Sequence, residues 1–582
     1  MLETIKTIIA EKLSTLTGVE LSIAKSAVKV PEQTKHGDFT VPVMQLRLKD
    51  IANGSNPVQL AQTIADRFVA DEAIASASAS GPYINFQIRC EALARHVLPS
   101  IHELQDTYGQ SSVGEGRRVV VDFSSPNIAK PFHVGHLRST IIGNFVYKLH
   151  KLQGWDAVAM NYLGDWGTQY GLLAIGYAEA GGSEEKLLAD PIMHLFEVYV
   201  AINKLAEADP LVKERARAHF KKMEDGDPEA LEQWQRFRDL SIAKYEEMYS
   251  RLDIHFDVYS GESQVSSGMT QAMQMLRDAG LLDIHNEAQV IRHDDPSLGN
   301  MVVEKSEGTS TYLLRDIGAV IERYDTYRFD KMIYVVGSEQ SCHLKRVFKA
   351  VELLGLPCSA SASLQHVGFG KVHGMSTRHG NAVFLDQLLA ESARNMLAVM
   401  QGNPEKYASL ENPAHTANVL GQSCVYVQDM SAKRNNGYQF EWSRMLSFRG
   451  STGAYLQYTH ARLCSLARSY READADADTE NSRLQFDSVD YSLLSERLAK
   501  DIVILVAQYP DILASAMQTL EPCTVVQYLF ALCHAVSAAW EELWVNGQPQ
   551  HLALARMAMY QAARIVLANG LVLLGIPPLE RM

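Results

Sequence analysis

Residues 117–140 read RRVVVDFSSPNIAKPFHVGHLRST, which predicts a buried strand, a polar turn and a helix start in direct succession. The β-branched run 119–121 is short and apolar, as expected of a strand buried on both faces of a parallel sheet. The polar run 124–127 then favours a turn, and helical spacing of apolar residues begins at Leu137. A strand that leads through a loop into a helix N-terminus is typical of the nucleotide-binding crevice of an open α/β sheet.

Two histidines, His133 and His136, stand three residues apart at this predicted helix start, so both can face one phosphate group. Gly135 between them leaves room for a flat adenine ring against the backbone. Two other interpretations are open at this point, because the pair could be half of a zinc site or simply two core histidines. The zinc interpretation lacks a third Cys or His nearby in the sequence, so no metal site is predicted.

The composition describes a globular protein of several domains. A chain of 582 residues with 47% hydrophobic and 21% charged residues should form about two to four domains. No apolar run approaches the roughly 18 residues of a membrane span, and the first residues favour an amphipathic helix. We therefore expect a cytoplasmic protein without a membrane partner. Seven cysteines without a Cys-x-x-Cys pair indicate reduced core thiols, and the net charge of −14 argues against a general nucleic-acid binder.

The sequence before and after residues 117–140 predicts a separate N-terminal domain, a helical insertion and further strands. Residues before 113 mix helical and strand-like pieces, with a helix start at Asn56-Pro57 and a strand at 73–88 broken by Gly81-Pro82, which predicts a separate α+β domain. A charged helical insertion is predicted at about 190–252, between two halves of a sheet. Further strands of that sheet are predicted at residues 155–162, 302–303, 332–336 and 366–369.

Two loops have the composition of ligand-binding turns. Gly164 and Asp165 follow the second strand, which suits a ligand-facing turn, although an ordinary tight turn is an equal alternative. Residues 374–381 (GMSTRHGN) supply small, hydroxyl and cationic side chains suited to a polyphosphate. This loop is not a Walker A loop, because no Gly-Lys is followed by Ser or Thr. A Gly-x-Gly-x-x-Gly turn is also missing after the first strand, which weakens a dehydrogenase interpretation.

From about residue 410 the sequence is nearly all helical, and one of its segments is basic. Residues 428–471 carry seven Lys or Arg side chains against two Asp or Glu, with aromatic residues interleaved. Cations that follow a phosphate backbone and rings that stack on unpaired bases are typical of RNA binding. The alternative, a bundle whose rings are core, explains about half of the rings but not the excess of charge.

Together these segments resemble the class I aminoacyl-tRNA synthetases, and among them the arginyl-tRNA synthetase family. SSPNIAKPFHVGHLRST is similar to that family's form of the HIGH motif. NYLGDWGTQ, DVYSGES, YLLRD, QDMSAKRNN and GAYLQYTHAR are similar to further family blocks in the same order. MSTRHG is similar to the corresponding loop of the fungal and mitochondrial-type branch, and the resemblance covers the whole chain.

The resemblance implies an α/β Rossmann-type catalytic domain with a helical insertion, preceded by an α+β N-terminal domain and followed by an all-α helical bundle. The expected boundaries are 1–112 for the N-terminal domain that contacts the tRNA elbow, 113–410 for the catalytic domain, and 411–582 for the anticodon-binding bundle. The implied reaction activates L-arginine with ATP to arginyl-adenylate and pyrophosphate, then transfers arginine to the 3′-terminal adenosine of tRNA(Arg). Activation is expected to depend on tRNA. ATP with Mg²⁺ is the implied substrate complex, without a tightly bound metal or prosthetic group, and a monomer is expected.

The resemblance also assigns roles to individual residues. The implied catalytic residues are His133, His136, Lys130, Met375, Ser376 and Arg378. The residues implied to bind arginine are Asp122, Ser125, Pro126, Asn127, His136, Tyr312, Asp316 and Gln340. Those implied to bind ATP are His133, Gly135, His136, Gly164, Asp165, His366, Val367, Met375 and Ser376. Those implied to contact tRNA are Tyr83, Asn85, Lys433, Arg434, Asn435, Asn436, Tyr455, Tyr458, Arg462 and Trp540.

The sequence departs from the family pattern at three points. The loop that corresponds to the KMSKS motif lacks both lysines, and Lys130 or Arg378 is the expected substitute. Asp122 is one methylene shorter than the family's glutamate, and Ser80 replaces an asparagine expected near the D-loop. An inactive paralogue that binds tRNA or a partner protein is the alternative function, and its expected mark is loss of the paired histidines or of Asp316. Both features are present.

Overall fold

The computed structural model shows three parts in succession along the chain: a small antiparallel sheet with helices, a parallel sheet with helices around it, and a bundle of helices. This order confirms the predicted fold class. The structure describes residues 2–31, 37–48, 56–132, 134–179, 182–306, 308–359, 363–373, 384–439, 450–473, 486 and 488–582.

The N-terminal part contains an antiparallel sheet of three strands in the order β1-β3-β2. The predicted strand at 73–88 is a hairpin, because Gly81 at its centre adopts a positive φ of 57° that favours a turn. The predicted helix start is also observed, since the Asn56 side chain accepts a hydrogen bond from the backbone N–H of Val58 at 2.9 Å. The strands are β1 (Phe39–Pro42), β2 (Ile74–Ser80) and β3 (Tyr83–Ile88), and the helices are Leu2–Thr17, Leu21–Ala27, Pro57–Asp66 and Cys90–Leu104.

The central part is built on a parallel sheet with the strand order β11-β10-β4-β5-β6. Its strands are β4 (Arg118–Asp122), β5 (Asp156–Leu163), β6 (Val258–Gly261), β10 (Lys331–Tyr334) and β11 (Leu364–His366). β4 lies in the middle, and its three consecutive valines are completely buried, as the apolar run predicts. The chain runs from β4 outward in both directions, so a ligand crevice is expected where the carboxyl ends of β4 and β10 meet.

A helical insertion lies between β5 and β6, as predicted. Three of its helices begin at an Asp-Pro pair, where the aspartate caps the first turn and proline occupies the first helical position. These caps are Asp190, Asp209 and Asp227. The insertion helices are Thr168–Glu179, Glu184–Ala189, Pro191–Ala208, Pro210–Glu224 and Pro228–Arg251.

The segment between β6 and β10 differs from the prediction, which placed residues 302–303 in the central sheet. They lie in β9, which pairs with β8 in a separate antiparallel sheet. A tight turn with positive φ at Asn286 and Glu287 returns the chain on itself and keeps these short strands together. The predicted strand at 366–369 is also displaced, because pairing with β10 ends at His366. The small sheet contains β7 (Leu282–His285), β8 (Ala288–Ile291) and β9 (Met301–Glu304), and the nearby helices are Val134–Leu152, Ser266–Asp278, Tyr312–Tyr327 and Ser341–Leu353.

The C-terminal part is helical. Two helices, Arg497–Thr519 and Pro522–Glu542, are long and apolar enough to cross a membrane by length and composition alone, which the sequence analysis did not foresee. They pack against each other and against Gln550–Leu573, so their apolar side chains form the core of the bundle. The Tyr108 hydroxyl donates to the Val506 carbonyl at 2.9 Å and links this bundle to the preceding domains. The helices are Leu385–Gln401, Pro404–Ala408, Pro413–Met430, Gly453–Ala473, Arg497–Thr519, Pro522–Glu542 and Gln550–Leu573.

Candidate active site

The turn after β4 adopts an unusual backbone conformation. Ser124, Ser125 and Ala129 all have positive φ, at 72°, 48° and 58°, which non-glycine residues adopt at a cost. The Ser124 hydroxyl forms hydrogen bonds with Thr140 at 2.8 Å and with Tyr249 at 2.7 Å, and both bonds are buried. The surrounding structure therefore holds a strained turn in place at the carboxyl end of the central strand, as expected of a ligand site.

A cavity of about 450 Å³ opens at the carboxyl ends of β4 and β10. Five of the eight residues predicted to bind arginine line it, namely Asp122, Ser125, Tyr312, Asp316 and Gln340. The other three, Pro126, Asn127 and His136, do not line it. Sequence analysis did not find the remaining lining residues, which are Tyr162, Glu262, Ala319, Arg323, Tyr334, Val336, His343, Leu344 and Val347.

Asp122 lies at the bottom of this cavity, but an arginine of the chain already pairs with it. Its carboxylate lies 2.9 Å from the buried guanidinium of Arg323 and accepts a hydrogen bond from Ser125 at 2.9 Å. The Arg323 guanidinium also lies 4.6 Å from the ring centre of Tyr162. Burial raises the pKa of Asp122, while Arg323 acts to lower it. The prediction that Asp122 is the second carboxylate for an arginine guanidinium stays a prediction, although both of its oxygens already have partners within the chain.

The other two carboxylates at the cavity are more accessible. Asp316 is about one-third exposed and forms a hydrogen bond with His343 at 2.5 Å. Glu262, at the carboxyl end of β6, forms an ion pair with Arg315 at 2.8 Å. Burial raises the pKa of Glu262 to about 7, so this side chain changes its charge near neutral pH. Glu262 lies inside the DVYSGES block, which was the available sequence signal.

The helix start beside the cavity carries the residues predicted to bind ATP. His136 is half-buried with its ring 5.1 Å from that of Phe132, and Gly135 is exposed. The Lys130 ammonium lies 5.3 Å from the ring centre of Tyr199 on the helical insertion. His133, Met375, Ser376 and Arg378 lie outside the described residues.

The turn after β5 packs closely against the turn after β4. A Cβ at Gly164 would lie 2.1 Å from the side-chain oxygen of Asn127, so a larger residue here would displace the Asn127 side chain. Asp165 is completely buried and bonds to Arg238 at 2.8 Å and to the hydroxyl of Ser263 at 2.8 Å. The carboxylate of Asp165 thus joins the insertion to the sheet, and its predicted role in the ATP site stays a prediction.

The turn after β11 borders the same crevice. His366 is half-buried, its Nε2 lies 3.1 Å from the Val336 carbonyl, and burial lowers its pKa, which favours the neutral imidazole. Val367 is completely buried and donates its N–H to Tyr334, so its side chain does not face a ligand.

Two residues of the first domain were predicted to contact tRNA, and they differ in accessibility. Tyr83 is 46% exposed at the start of β3. Asn85 is 6% exposed, and its side-chain oxygen accepts a hydrogen bond from Thr40 at 2.7 Å. Of the two, Tyr83 presents its side chain to solvent, and the tRNA contacts predicted for both residues stay predictions.

Three of the aromatic and basic residues predicted for the bundle form one surface cluster. The Arg462 guanidinium lies 4.0 Å from the ring centre of Trp540, and Tyr458 beside it is 40% exposed. Tyr455 is half-buried, and its hydroxyl bonds to Ser537 at 3.0 Å. Stacked arginine and aromatic side chains of this kind suit unpaired bases.

The predicted tRNA-binding segment 433–436 lies between the bundle and the catalytic domain. Lys433, Asn435 and Asn436 are exposed. Arg434 is turned inward, since it pairs with Glu521 and donates to the Gly368 carbonyl at 2.9 Å. These bonds hold the Arg434 guanidinium between the two domains, and its predicted tRNA contact stays a prediction.

Comparison with known proteins gives three matches along the chain. The family of class I (R) tRNA synthetases, catalytic domain, matches residues 98–442, and the DALR anticodon-binding domain matches residues 456–582. The arginyl-tRNA synthetase N-terminal domain matches residues 3–88. The chain belongs to the class I arginyl-tRNA synthetase family.

Two relatives are similar to this chain in sequence, and one solved structure is similar in fold. The cytoplasmic arginine–tRNA ligase of Saccharomyces cerevisiae is 46% identical over 99% of this chain and 94% of its own length. The mitochondrial arginine–tRNA ligase of the same yeast is 41% identical over 100% of this chain and 89% of its own length. The arginyl-tRNA synthetase structure from Thermus thermophilus has the same fold, with a TM-score of 0.79 and 22% identity over 100% of this chain and 99% of that one.

Proposed function

We propose that the protein is an arginine–tRNA ligase, which activates L-arginine with ATP and transfers it to the 3′-terminal adenosine of tRNA(Arg). The observation that carries this proposal is the charged cavity at the carboxyl ends of the neighbouring strands β4 and β10. Its position fits the general rule for ligands of doubly wound sheets, and its carboxylates fit a guanidinium.

The accessible carboxylates of this cavity favour a cationic ligand. Asp316 and Glu262 both line it, and their side chains are 32% and 19% exposed, whereas that of Asp122 is 5% exposed. We propose Asp316 and Glu262 as the direct partners of the arginine guanidinium, because they are more accessible than Asp122.

The aromatic and polar walls of the cavity add selectivity. The rings of Tyr162, Tyr312 and Tyr334 border the space and can contact the flat face and the hydrocarbon stem of the ligand. A neutral isostere such as citrulline would bring no positive charge to these carboxylates, so we expect it to bind more weakly than arginine.

For ATP we propose the space between the helix start and the turn after β11. His136, Lys130 and Gly135 border it on one side, and His366 borders it on the other. Transfer to a good leaving group needs positioning and charge stabilisation, so no covalent intermediate with a side chain is proposed. We propose Lys130 as the substitute for the missing loop lysines, with Mg²⁺ entering as part of the ATP substrate.

For tRNA we propose contacts from Tyr83 on the first domain and from the cluster of Tyr458, Arg462 and Trp540 on the bundle.

The domain boundaries 1–112, 113–410 and 411–582 stay predictions, although the helix Leu385–Gln401 packs along Pro413–Met430 and thus joins the bundle. The cytosolic location and the monomeric state also stay predictions. The similarity to both cytoplasmic and mitochondrial relatives does not discriminate between compartments.

The decisive experiment is aminoacylation of total tRNA by the purified protein with arginine, lysine or citrulline. We expect charging with arginine only, and arginine-dependent ATP–pyrophosphate exchange that requires tRNA. Charging with lysine or citrulline at a similar rate would contradict the assigned pocket. Binding of tRNA without any charging would favour the alternative, an inactive paralogue.

A further inference from the structure

Arg138 lies two residues after His136 on the same helix and makes three polar contacts outside it. The side chain is almost completely buried, with 1% of its surface exposed. Its guanidinium donates to the carbonyl of Gly370 at 2.5 Å and to that of Asn436 at 2.9 Å, and it lies 3.3 Å from the carboxylate of Asp429. One planar cation therefore joins the helix start, the loop after β11 and the bundle.

The two segments that Arg138 joins are also bound to each other. β12 (Val372–His373) pairs in parallel with β13 (Tyr438–Gln439), and the N–H of Gly370 donates to the Arg434 carbonyl at 2.8 Å. A Cβ at Gly370 would lie 2.6 Å from the carbonyl oxygen of Asn435, which is too close for any other residue without movement. The loop after β11 therefore cannot shift without also moving the segment from Arg434 to β13, which lies beside the bundle.

A continuous set of contacts leads from Arg138 to the proposed tRNA-binding surface. Asp429 stands at the end of the helix Pro413–Met430, which packs along the helix Gly453–Ala473. Gln457 of the second helix donates to the hydroxyl of Ser423 on the first at 3.0 Å, and both groups are buried. The second helix also carries Tyr458 and Arg462 of the surface cluster.

We propose that Arg138 is a positioning residue that couples tRNA binding on the bundle to the alignment of the two segments that hold ATP. These segments are the helix start with His136 and the loop 366–370. The inference rests on the proposed function and gives its tRNA dependence a physical cause. Because Arg138 is buried, it acts through His136 and Gly370 and not on the reacting atoms.

The test is Arg138→Lys, which keeps a positive charge but has a single nitrogen, whereas the guanidinium bonds both carbonyls through Nη1 and faces Asp429 through Nε. With tRNA present, we expect the kcat of ATP–pyrophosphate exchange to fall about tenfold, while the KM for arginine and the Kd for tRNA change less than about twofold. A merely structural role would instead reduce the fraction of active enzyme, measured by active-site titration, at unchanged kcat per site. The matched control is Arg556→Lys, because Arg556 holds Glu496 and the Trp544 carbonyl entirely within the bundle.

A second variant keeps the proposal testable if Arg138→Lys does not fold. Gly370→Ala pushes the loop after β11 away from the bundle segment at one contact, and we expect the same loss of kcat at unchanged affinities. Normal exchange in the folded variants, or a loss that follows tRNA affinity, would overturn the coupling. Equal exchange by the unaltered protein with and without tRNA would also overturn it, while charging of tRNA with arginine would still support the ligase. Absence of any charging would overturn both.

Discussion

The crevice has two proposed ends, one for the amino acid at the cavity and one for ATP at the helix start with His136. The two ends differ in which parts of the chain support them. At the amino-acid end, each carboxylate has a partner from the catalytic part: Asp122 with Arg323, Glu262 with Arg315, and Asp316 with His343. At the ATP end, the supports come from other parts of the chain. Lys130 lies over a ring of the insertion, and the loop after β11 is bonded to the segment beside the bundle. The proposed arginine pocket is thus preformed, whereas the proposed ATP site is assembled from several parts of the chain. This difference suits an enzyme whose activation step waits for tRNA.

The largest effect is expected from breaking the support beneath the amino-acid end. Arg323→Met leaves the buried Asp122 carboxylate without its cation, which should lower the free energy of unfolding by about 3–5 kcal/mol. Denaturant unfolding measures this change. The double variant Asp122→Asn with Arg323→Met should recover most of the loss, since neither charge is then left alone. Equal destabilisation in the single and double variants would show that packing, not charge, explains the effect.

A change at the ATP end should affect the rate and leave arginine binding intact. Lys130→Ala removes the cation proposed to stabilise the triphosphate, so kcat for exchange should fall by about 100- to 1,000-fold at an unchanged KM for arginine. Steady-state exchange kinetics give both constants. Lys151→Ala on the following helix is the control, because Lys151 is exposed and faces Tyr147. A fall in kcat of less than about threefold would exclude Lys130 as the substitute for the missing loop lysines.

The reverse pattern is expected at the amino-acid end. Asp316→Asn removes the charge proposed to bind the guanidinium, so kcat/KM for arginine should fall roughly 100-fold, or about 3 kcal/mol, mainly through KM. Aminoacylation at varied arginine concentration measures this split. The control is Asp325→Asn on the same helix, whose carboxylate pairs with Arg328 at the surface. If Asp316→Asn lowered kcat and spared KM, the two ends would not be functionally separate.

The sequence alone predicts those features of the two ends that depend on local patterns. β4 and β10 are apolar runs, and the insertion helices begin at Asp-Pro pairs, so their positions follow from short-range chemistry. Tyr312 and Asp316 share one face of a helix, which four-residue spacing predicts. The cavity confirms that these two side chains lie together.

The parts that sequence could not predict depend on distant contacts. Nothing near Asp122 in the sequence indicates that Arg323, some 200 residues later, pairs with its carboxylate. Arg138 looks like an exposed cation of a polar motif, yet it is buried because the bundle supplies Asp429. Glu262 is a single carboxylate at a strand end, so its place in the cavity follows only from the strand order β4-β5-β6.

The smallest effect is expected in the pH dependence of the KM for arginine, which we assign to Glu262. Burial raises its pKa to about 7, above the usual value near 4.5, so the side chain is mostly neutral at pH 6 and mostly ionised at pH 8. Only the ionised form attracts a guanidinium, and the KM for arginine should therefore fall roughly fivefold as the pH rises from 6 to 8. Glu262→Gln should flatten this dependence and keep the KM near its value at pH 6. Because the ATP end lacks this carboxylate, the KM for ATP should follow the same pH profile in both proteins. A pH dependence of the KM for arginine that survives in Glu262→Gln would show that a group other than Glu262 causes it.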